Sequence, residues 1–357
     1  MTDLTAAPPL ETPRCPVGRS TIELVDRTRA DRRLAVDLWY PALVADEPLS
    51  RYEVLPGIAF EAAVARRDPH VASGSYPLIV LSHGRTGMRF VYAQLAEALA
   101  GRGSIVVACD HPGDALHDWL GGTFVDDRTN EVGRVADASF LLDTLGLSSS
   151  GGGPTTASPT TADPAWPQGL AASVDPTRVA IIGHSYGAYT ALAAAAGVRG
   201  VAADARVRAV VGVQPYTRTL SDAALGRVHT PTLLVVSEFD QTAPADPHGE
   251  RPWQLVNAEP TWRLDLGGAA HHASSDMGLY LELAATLGDL PPMLMAYVAM
   301  MSGEMIGPQF RPWRERLLVQ VGAISAFLDI VLDIDPARGE AEAALLAATN
   351  GVTLQRR

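Results

Sequence analysis

Short runs rich in Val and Ile alternate along the chain with longer segments in which apolar residues recur every three or four positions. The first pattern predicts strands and the second amphipathic helices, and their alternation predicts a mostly parallel sheet with helices on both faces. Eight strands are expected: "STIELVD" (20–26), "RLAVDLWY" (33–40), "PLIVLS" (77–82), "SIVVAC" (104–109), "RVAIIG" (178–183), "RAVVGV" (208–213), "TLLVVS" (232–237) and "TWRLDL" (261–266). The first two alternate apolar and polar residues with little room for a crossover, which predicts an antiparallel pair at the N-terminal edge, while the rest suit parallel pairing.

Between the third and fourth strands, Val91, Leu95, Ala98 and Leu99 share a helical face and Gly101 offers a cap. A second helix is expected after Gly133, with Val135, Phe140, Leu141 and Leu145 inward, and a third places Leu317, Val321, Ile324, Leu328 and Val331 against the sheet. The last residues are expected to add a helix and then fray. The segment 147–169 is rich in Gly, Ser, Thr and Pro and reads as a flexible surface insertion, because strand-forming sequence resumes at Arg178 and needs the earlier strands as neighbours. The expectation is therefore a single domain over 1–357.

Composition narrows the function classes. Against 28 Lys and Arg stand 40 Asp and Glu, a formal charge of −12 that argues against binding nucleic acid or an anionic membrane surface. The opening "MTDLTAAPPLETPRCPVGRS" is polar and broken by proline, with no basic, apolar and small-residue succession, so a cytoplasmic location is expected. Two cysteines, Cys15 and Cys109, are too few for a disulfide framework or a zinc spacing. The longest apolar region, 277–301, is interrupted by Glu282, Asp289, Pro291 and Pro292, which excludes the clean run of about 20 apolar residues that a membrane span needs. Six of the eight methionines fall between Met277 and Met305, so 277–310 is a candidate lid of adaptable thioethers, with a buried helical core as the alternative.

The chemistry concentrates in "VAIIGHSYGAYTALAAAA" (179–196). A Gly-x-Ser-x-Gly motif between a strand and a helix sets the serine on a strained turn, where small flanking residues let the backbone pass close by, so Ser185 is the candidate nucleophile. A serine hydroxyl needs a base, and the base an orienting acid, here expected in the order serine, acid, histidine at later strand ends. "EFDQTAP" follows the seventh strand and offers Asp240, with Glu238 as competitor nearer the strand; "GGAAHHASSD" follows the eighth and offers His271, with His272 beside it. Asp240 and His271 are favoured, the latter because it comes directly after the small "GGAA" turn. Two N–H donors must meet the developing oxyanion: those of Tyr186 and of Arg85 in "SHGRTGM" (82–88), where Gly84 and Gly87 permit unusual backbone angles. His83 reads as an orienting residue of that loop. Asp110, His111, Asp114, His117 and Asp118 lack a recognised ligand spacing and read as structural, so no metal and no cofactor is expected.

With these residues in place, the chain resembles the serine α/β-hydrolases grouped with platelet-activating-factor acetylhydrolases and dienelactone-hydrolase-like proteins. The resemblance rests on "LWYPA" (38–42), "YPLIVLSHG" (76–84), "VVACDHPGD" (106–114), "ASFLLDTL" (138–145), "IIGHSYGA" (181–188) and "GGAAHH" (267–272). The region 230–276 is also similar to cutinase-type polyester hydrolases, whose D-x-x-x-P and G-A-x-H patterns fall here on Asp240, followed by Pro244, and on His271. Two departures stand out. The animal acetylhydrolases take their acid from the loop after the preceding strand, which here reads "QPYTRT" (214–219) without a carboxylate, and dienelactone hydrolases proper have cysteine where this chain has Ser185. Tyr216 in that loop is a candidate acyl-pocket residue.

The resemblance implies an α/β-hydrolase fold and a serine esterase whose partner is a small-molecule ester, small or short in its acyl group. An amidase or thioesterase with the same triad, and a noncatalytic binding protein on a hydrolase fold, are the alternatives.

Overall fold

Runs that are apolar at every position are stable as strands only when both their faces are covered, and the sheet is built that way. The computed structural model describes residues 2–4, 8–43, 46–55, 57–147, 166–287 and 292–357. Its strands are β1 (Thr2–Leu4), β2 (Val17–Asp26), β3 (Arg32–Pro41), β4 (Leu49–Leu55), β5 (Ile58–Arg67), β6 (Tyr76–Ser82), β7 (Ile105–Cys109), β8 (Val174–His184), β9 (Ala209–Val213), β10 (Thr232–Ser237), β11 (Thr261–Leu266) and β12 (Val352–Arg356). They form one sheet in the order β1-β5-β2-β3-β7-β6-β8-β9-β10-β11-β12, with β4 beside β5. From β7 to β11 every neighbouring pair is parallel.

Ten helices accompany the sheet among the described residues: α1 (Ala93–Gly101), α2 (Leu116–Gly121), α3 (Asp127–Thr144), α4 (Tyr186–Ala196), α5 (Asp222–Leu225), α6 (Arg251–Leu255), α7 (Met277–Ala284), α8 (Pro292–Met305), α9 (Trp313–Val331) and α10 (Pro336–Ala347). The period-2 pleat sends alternate strand residues to opposite layers. Ile79, Leu81, Val106, Ala108 and Ile182 pack with α1 and α9, while Leu78, Val80, Val107 and Ile181 pack with α3 and α4.

All eight expected strands are present, and the α/β-hydrolase architecture holds, but the strand count and the edges differ from expectation. The antiparallel pair β2 and β3 lies inside the sheet, since β5 and β1 extend it beyond β2. The β4–β5 ribbon is polar on one side and rich in Ala and Arg, a weak strand signal; its pairing is settled by a buried polar chain instead. Trp39 Nε1 donates to the Tyr52 hydroxyl at 2.8 Å, Tyr52 donates to Glu97 of α1 at 2.7 Å, and Glu97 accepts the Val64 and Ala65 amides. At the other edge the chain does not fray after α10: "VTLQR" pairs antiparallel with β11 as β12. α3 begins at Asp127, ahead of Gly133, because the Asp126 carboxylate caps it by accepting the Thr129 amide at 3.0 Å.

Most of the 147–169 insertion lies outside the described residues. The candidate lid forms α7 and α8, where Met277, Leu281 and Met301 make a small apolar cluster separate from the two main layers. Among the described residues no helix is long and apolar enough to cross a membrane.

Candidate active site

Parallel strands place all their C-terminal ends on one side of a sheet, and the loops that leave β6, β8, β10 and β11 therefore gather there. The register aligns Ser82 with Gly183, His184 with Val213 and Ser237 with Leu266. Chemistry that is scattered from 82 to 276 in sequence thus meets at one edge.

Ser185 sits at the turn from β8 into α4 with φ 54° and ψ −117°, backbone angles that a residue with a side chain adopts only under constraint. The constraint is close packing. A Cβ on Gly183 would lie 1.9 Å from the Gly187 carbonyl oxygen, and one on Gly187 would lie 2.0 Å from that of Ser82, so only glycine lets α4 approach β6 this closely. The Ser185 amide donates to the Val213 carbonyl at 2.9 Å, and its own carbonyl accepts from Ala188 and Tyr216.

The hydroxyl so presented faces His271. Ser185 Oγ lies 2.8 Å from His271 Nε2, and His271 Nδ1 lies 2.8 Å from Asp240 Oδ2. The Thr242 and Ala243 amides donate to Asp240 Oδ1 at 3.0 and 2.7 Å, so the carboxylate is fixed on both oxygens. With the acid held, His271 carries its proton on Nδ1 and leaves Nε2 as an acceptor toward the serine. All three groups are buried. Glu238 is placed elsewhere: it is exposed, and its carboxylate accepts the Gly268 amide at 2.8 Å. His272 stacks edge-on against His271 and lines the cavity beside it, and burial followed by the neighbouring His271 pushes its pKa down to about 3.

Four residues that hold His271 and its loop escaped the sequence reading. His184 Nε2 donates to the His271 carbonyl at 2.7 Å, which requires Nδ1 to accept, and it does so from the Tyr92 hydroxyl at 2.6 Å. Burial, with His271 and His272 nearby, holds His184 well below the ordinary histidine range, so it stays neutral as this geometry demands. The available signal was the histidine inside Gly-His-Ser-Tyr-Gly itself. On the far side of the loop, Gln214 at the end of β9 accepts from the Ser274 hydroxyl and donates to Ser237, while Gln320 of α9 donates to the Ala273 carbonyl.

The loop after β6 lies against the serine: a Cβ on Gly84 would be 3.2 Å from that of Ser185. His83 locks it, with Nδ1 donating to the Gly84 carbonyl at 2.7 Å and Nε2 accepting the His111 amide at 3.1 Å. Burial, followed by the Arg134 charge, keeps His83 neutral. Arg134 was also missed. It is a fully buried arginine within the apolar face of α3, and it binds Asp114, the Ser82 hydroxyl and the His83 carbonyl. The Arg85 side chain reaches outward to Asp127 and Asp114, and the residue is among those lining the cavity beside Ser185. The Tyr186 amide is one of the unpaired donors of the first turn of α4, next to the serine.

Asp110, His111, Asp114 and Asp118 are all engaged in such structural contacts: Asp110 with Arg89, His111 with Ser82 and Asp137, and Asp118 with the Gly113 and Ala115 amides. Among the described residues no cluster of three or more His, Cys, Asp or Glu side chains is arranged to hold a metal ion. Tyr216 departs from expectation. Its ring stacks on His248 and meets the edge of Tyr186, and it is not among the residues that line the cavity. That cavity, about 290 Å³, opens from Ser185 and His271 between the β4–β5 ribbon and the α7–α8 pair.

Comparison with known proteins agrees with this architecture. The structure superposes on a ferulic acid esterase from Streptomyces cinnamoneus with a TM-score of 0.71, covering 98% of this chain and 99% of that one at 24% identity, a likeness of fold. In sequence the chain is 26% identical over 190 residues to platelet-activating factor acetylhydrolase of Cavia porcellus, covering 47% of this chain and 41% of that protein. Two uncharacterised proteins of Mycobacterium tuberculosis are each 32% identical over 165 residues, covering 46% of this chain and 44% of theirs. The match thus spans less than half the length of these curated relatives. The family model for platelet-activating factor acetylhydrolase, isoform II, covers residues 59–119 and 161–282, over half of the chain and every residue of the serine, histidine and aspartate constellation, and the chain belongs to that family.

Proposed function

We propose that this chain is a carboxylic ester hydrolase working through an acyl-enzyme on Ser185. The observation that carries the reading is the continuous hydrogen-bonded line from Ser185 Oγ through His271 to Asp240, with 2.8 Å at each step. In the first step Ser185 Oγ bonds to the ester carbonyl carbon while His271 Nε2 takes its proton, and the Asp240 carboxylate stabilises the imidazolium. The Arg85 and Tyr186 N–H groups hold the oxyanion of the tetrahedral intermediate. On collapse, the bond to the alkoxy oxygen breaks and His271 returns the proton to the leaving alcohol. Water then adds to the acyl carbon with His271 again as base, and the acid leaves as Ser185 is regenerated. No redox step or external cofactor enters this scheme.

Family membership and the fully connected site support ester cleavage, and the apolar cavity suits a small uncharged ester. Because one structural neighbour is a ferulic acid esterase, a feruloyl ester belongs in the substrate panel beside acetyl and butanoyl esters. The test pairs turnover of that panel with labelling by a fluorophosphonate. Wild-type protein should be labelled at Ser185 and should hydrolyse at least one ester, and Ser185→Ala should lose both properties. Undiminished hydrolysis by Ser185→Ala would reject the scheme.

A further inference from the structure

The cavity beside Ser185 has walls whose chemistry and extent constrain what it holds. It is lined by Phe60 of the β4–β5 ribbon, Met88 and Val91, and by Met277, Tyr280 and Met301 of α7 and α8, with Phe60 packed against Tyr280. Among the described lining residues, Arg85 is the one side chain that carries a fixed charge, and its guanidinium is turned to Asp127 and Asp114. The Tyr92 hydroxyl is committed to His184 and the Tyr280 hydroxyl donates to the Phe90 carbonyl, so neither is offered to a ligand. A surface of this kind rewards burial of hydrocarbon and penalises a buried charge or an unpaired polar group.

The far end is defined by a second space. A groove of about 750 Å³ lies on the other side of the α7–α8 pair, bordered by Met295, Ile306 and Trp313. Leu281, Ala284, Leu287 and Val298 line both the cavity and the groove, so the two spaces adjoin at these side chains. An apolar cavity of about 150 Å³ holds benzene, about six non-hydrogen atoms, and on that scale the 290 Å³ on the serine side holds about twelve.

We infer that this cavity is the acyl site and takes a linear saturated acyl chain of about eight to ten carbons, with Leu281 and Val298 as its end stop. The inference rests on Ser185 as the nucleophile and deepens that reading: it exceeds the short acyl group implied by sequence resemblance. The acyl half is the one assigned because it stays bonded to Ser185 Oγ while the alcohol departs. A half-enclosed pocket can therefore retain it through both steps, with water needed only at the carbonyl. The thioethers of Met277 and Met301 let the wall follow a chain of varying bend.

The test is a series of nitrophenyl esters from acetyl to palmitoyl with the full chain, active sites being counted by fluorophosphonate. In wild type kcat/KM should rise several-fold per two carbons up to octanoyl or decanoyl, as each buried methylene adds about fourfold at best, and fall at least tenfold by palmitoyl. Leu281→Ala and Val298→Ala, each checked for thermal unfolding, should open the wall and raise the myristoyl-to-octanoyl ratio at least fivefold. Val298→Trp should move the optimum to four to six carbons. A profile that peaks at acetyl, a cinnamoyl ester preferred over octanoyl, or a ratio unchanged in all three folded variants would overturn the inference while leaving Ser185 as nucleophile. So would a matched alkyl acetate series in which alcohol length, and not acyl length, sets the rate. Absence of both ester turnover and labelling would instead overturn the assignment of Ser185 on which it rests.

Discussion

Replacing Asp240 with Asn tests the hydrogen-bond logic of the site while keeping its shape. Asp240 Oδ1 accepts the Thr242 and Ala243 amides at 3.0 and 2.7 Å, and Oδ2 accepts from His271 Nδ1 at 2.8 Å. An Asn side chain has a single acceptor oxygen, and the two backbone amides hold it on their side, which leaves the NH2 group facing His271. The imidazole can satisfy that donor only by making Nδ1 an acceptor and moving its proton to Nε2. There it points at Ser185 Oγ and can no longer take the serine proton. Loss of the productive tautomer is expected to lower kcat by about 10⁴-fold, or about 5.5 kcal/mol of barrier. Stability should change by only about 1 to 2 kcal/mol, because the two backbone hydrogen bonds persist. The assay is kcat on a nitrophenyl ester, with active sites counted by fluorophosphonate and folding followed by thermal unfolding. Glu238→Gln is the matched control, since Glu238 binds the Gly268 amide and makes no contact with His271, and it should stay within threefold of wild type. A loss under tenfold in a folded Asp240→Asn protein, or a greater loss in Glu238→Gln, would refute the argument.

His271→Ala should reduce turnover by at least 10³-fold, whereas His272→Ala, which removes a cavity wall and a ring packed against His271 and His184, should act mainly on KM; steady-state kinetics on the two variants separates them. Gly187→Ala forces a Cβ to within 2.0 Å of the Ser82 carbonyl oxygen, so α4 must move off β6. A destabilisation of about 3 kcal/mol or more is expected, read as a lower Tm or insoluble protein, and an unchanged Tm would contradict the packing described. Burial holds His83, His111, His184 and His272 below the ordinary histidine range, His111 near 4 and His272 near 3. On acidification below about pH 6.5 the unfolded chain takes up those protons and the folded chain does not, so stability falls as pH drops toward 4. Asp276, pushed up to about 8 by burial, keeps its proton when folded and offsets one of the four. Each net proton contributes about 1.4 kcal/mol per pH unit, the fall is measurable by urea unfolding at pH 7, 6 and 5, and a flat profile would count against four histidines held neutral in the folded chain.

By itself the sequence determined the strands that are buried on both faces and the helices that cover them, because continuous Val-rich and Ile-rich runs and a 3.6-residue period leave little choice. It also determined that Ser185 lies on a strand-to-helix turn and that a carboxylate and a histidine follow at later strand ends, since glycine spacing and chain order are written locally. The tertiary structure decided what depends on partners remote in the chain. Which of two adjacent histidines faces Ser185 follows from the His184 and Tyr92 hydrogen bonds and from the Gln214 and Gln320 contacts on the same loop. Whether a weak ribbon such as β4–β5 pairs depends on Glu97, some 30 residues away, and the C-terminal strand exists because β11 offers it a free edge. Tyr216 shows the same limit, for a residue next to the site in sequence can turn its ring toward His248 instead of the cavity. Periodicity records whether a residue is covered, but not by what, and the direction a side chain takes is fixed only when the other layers close around it.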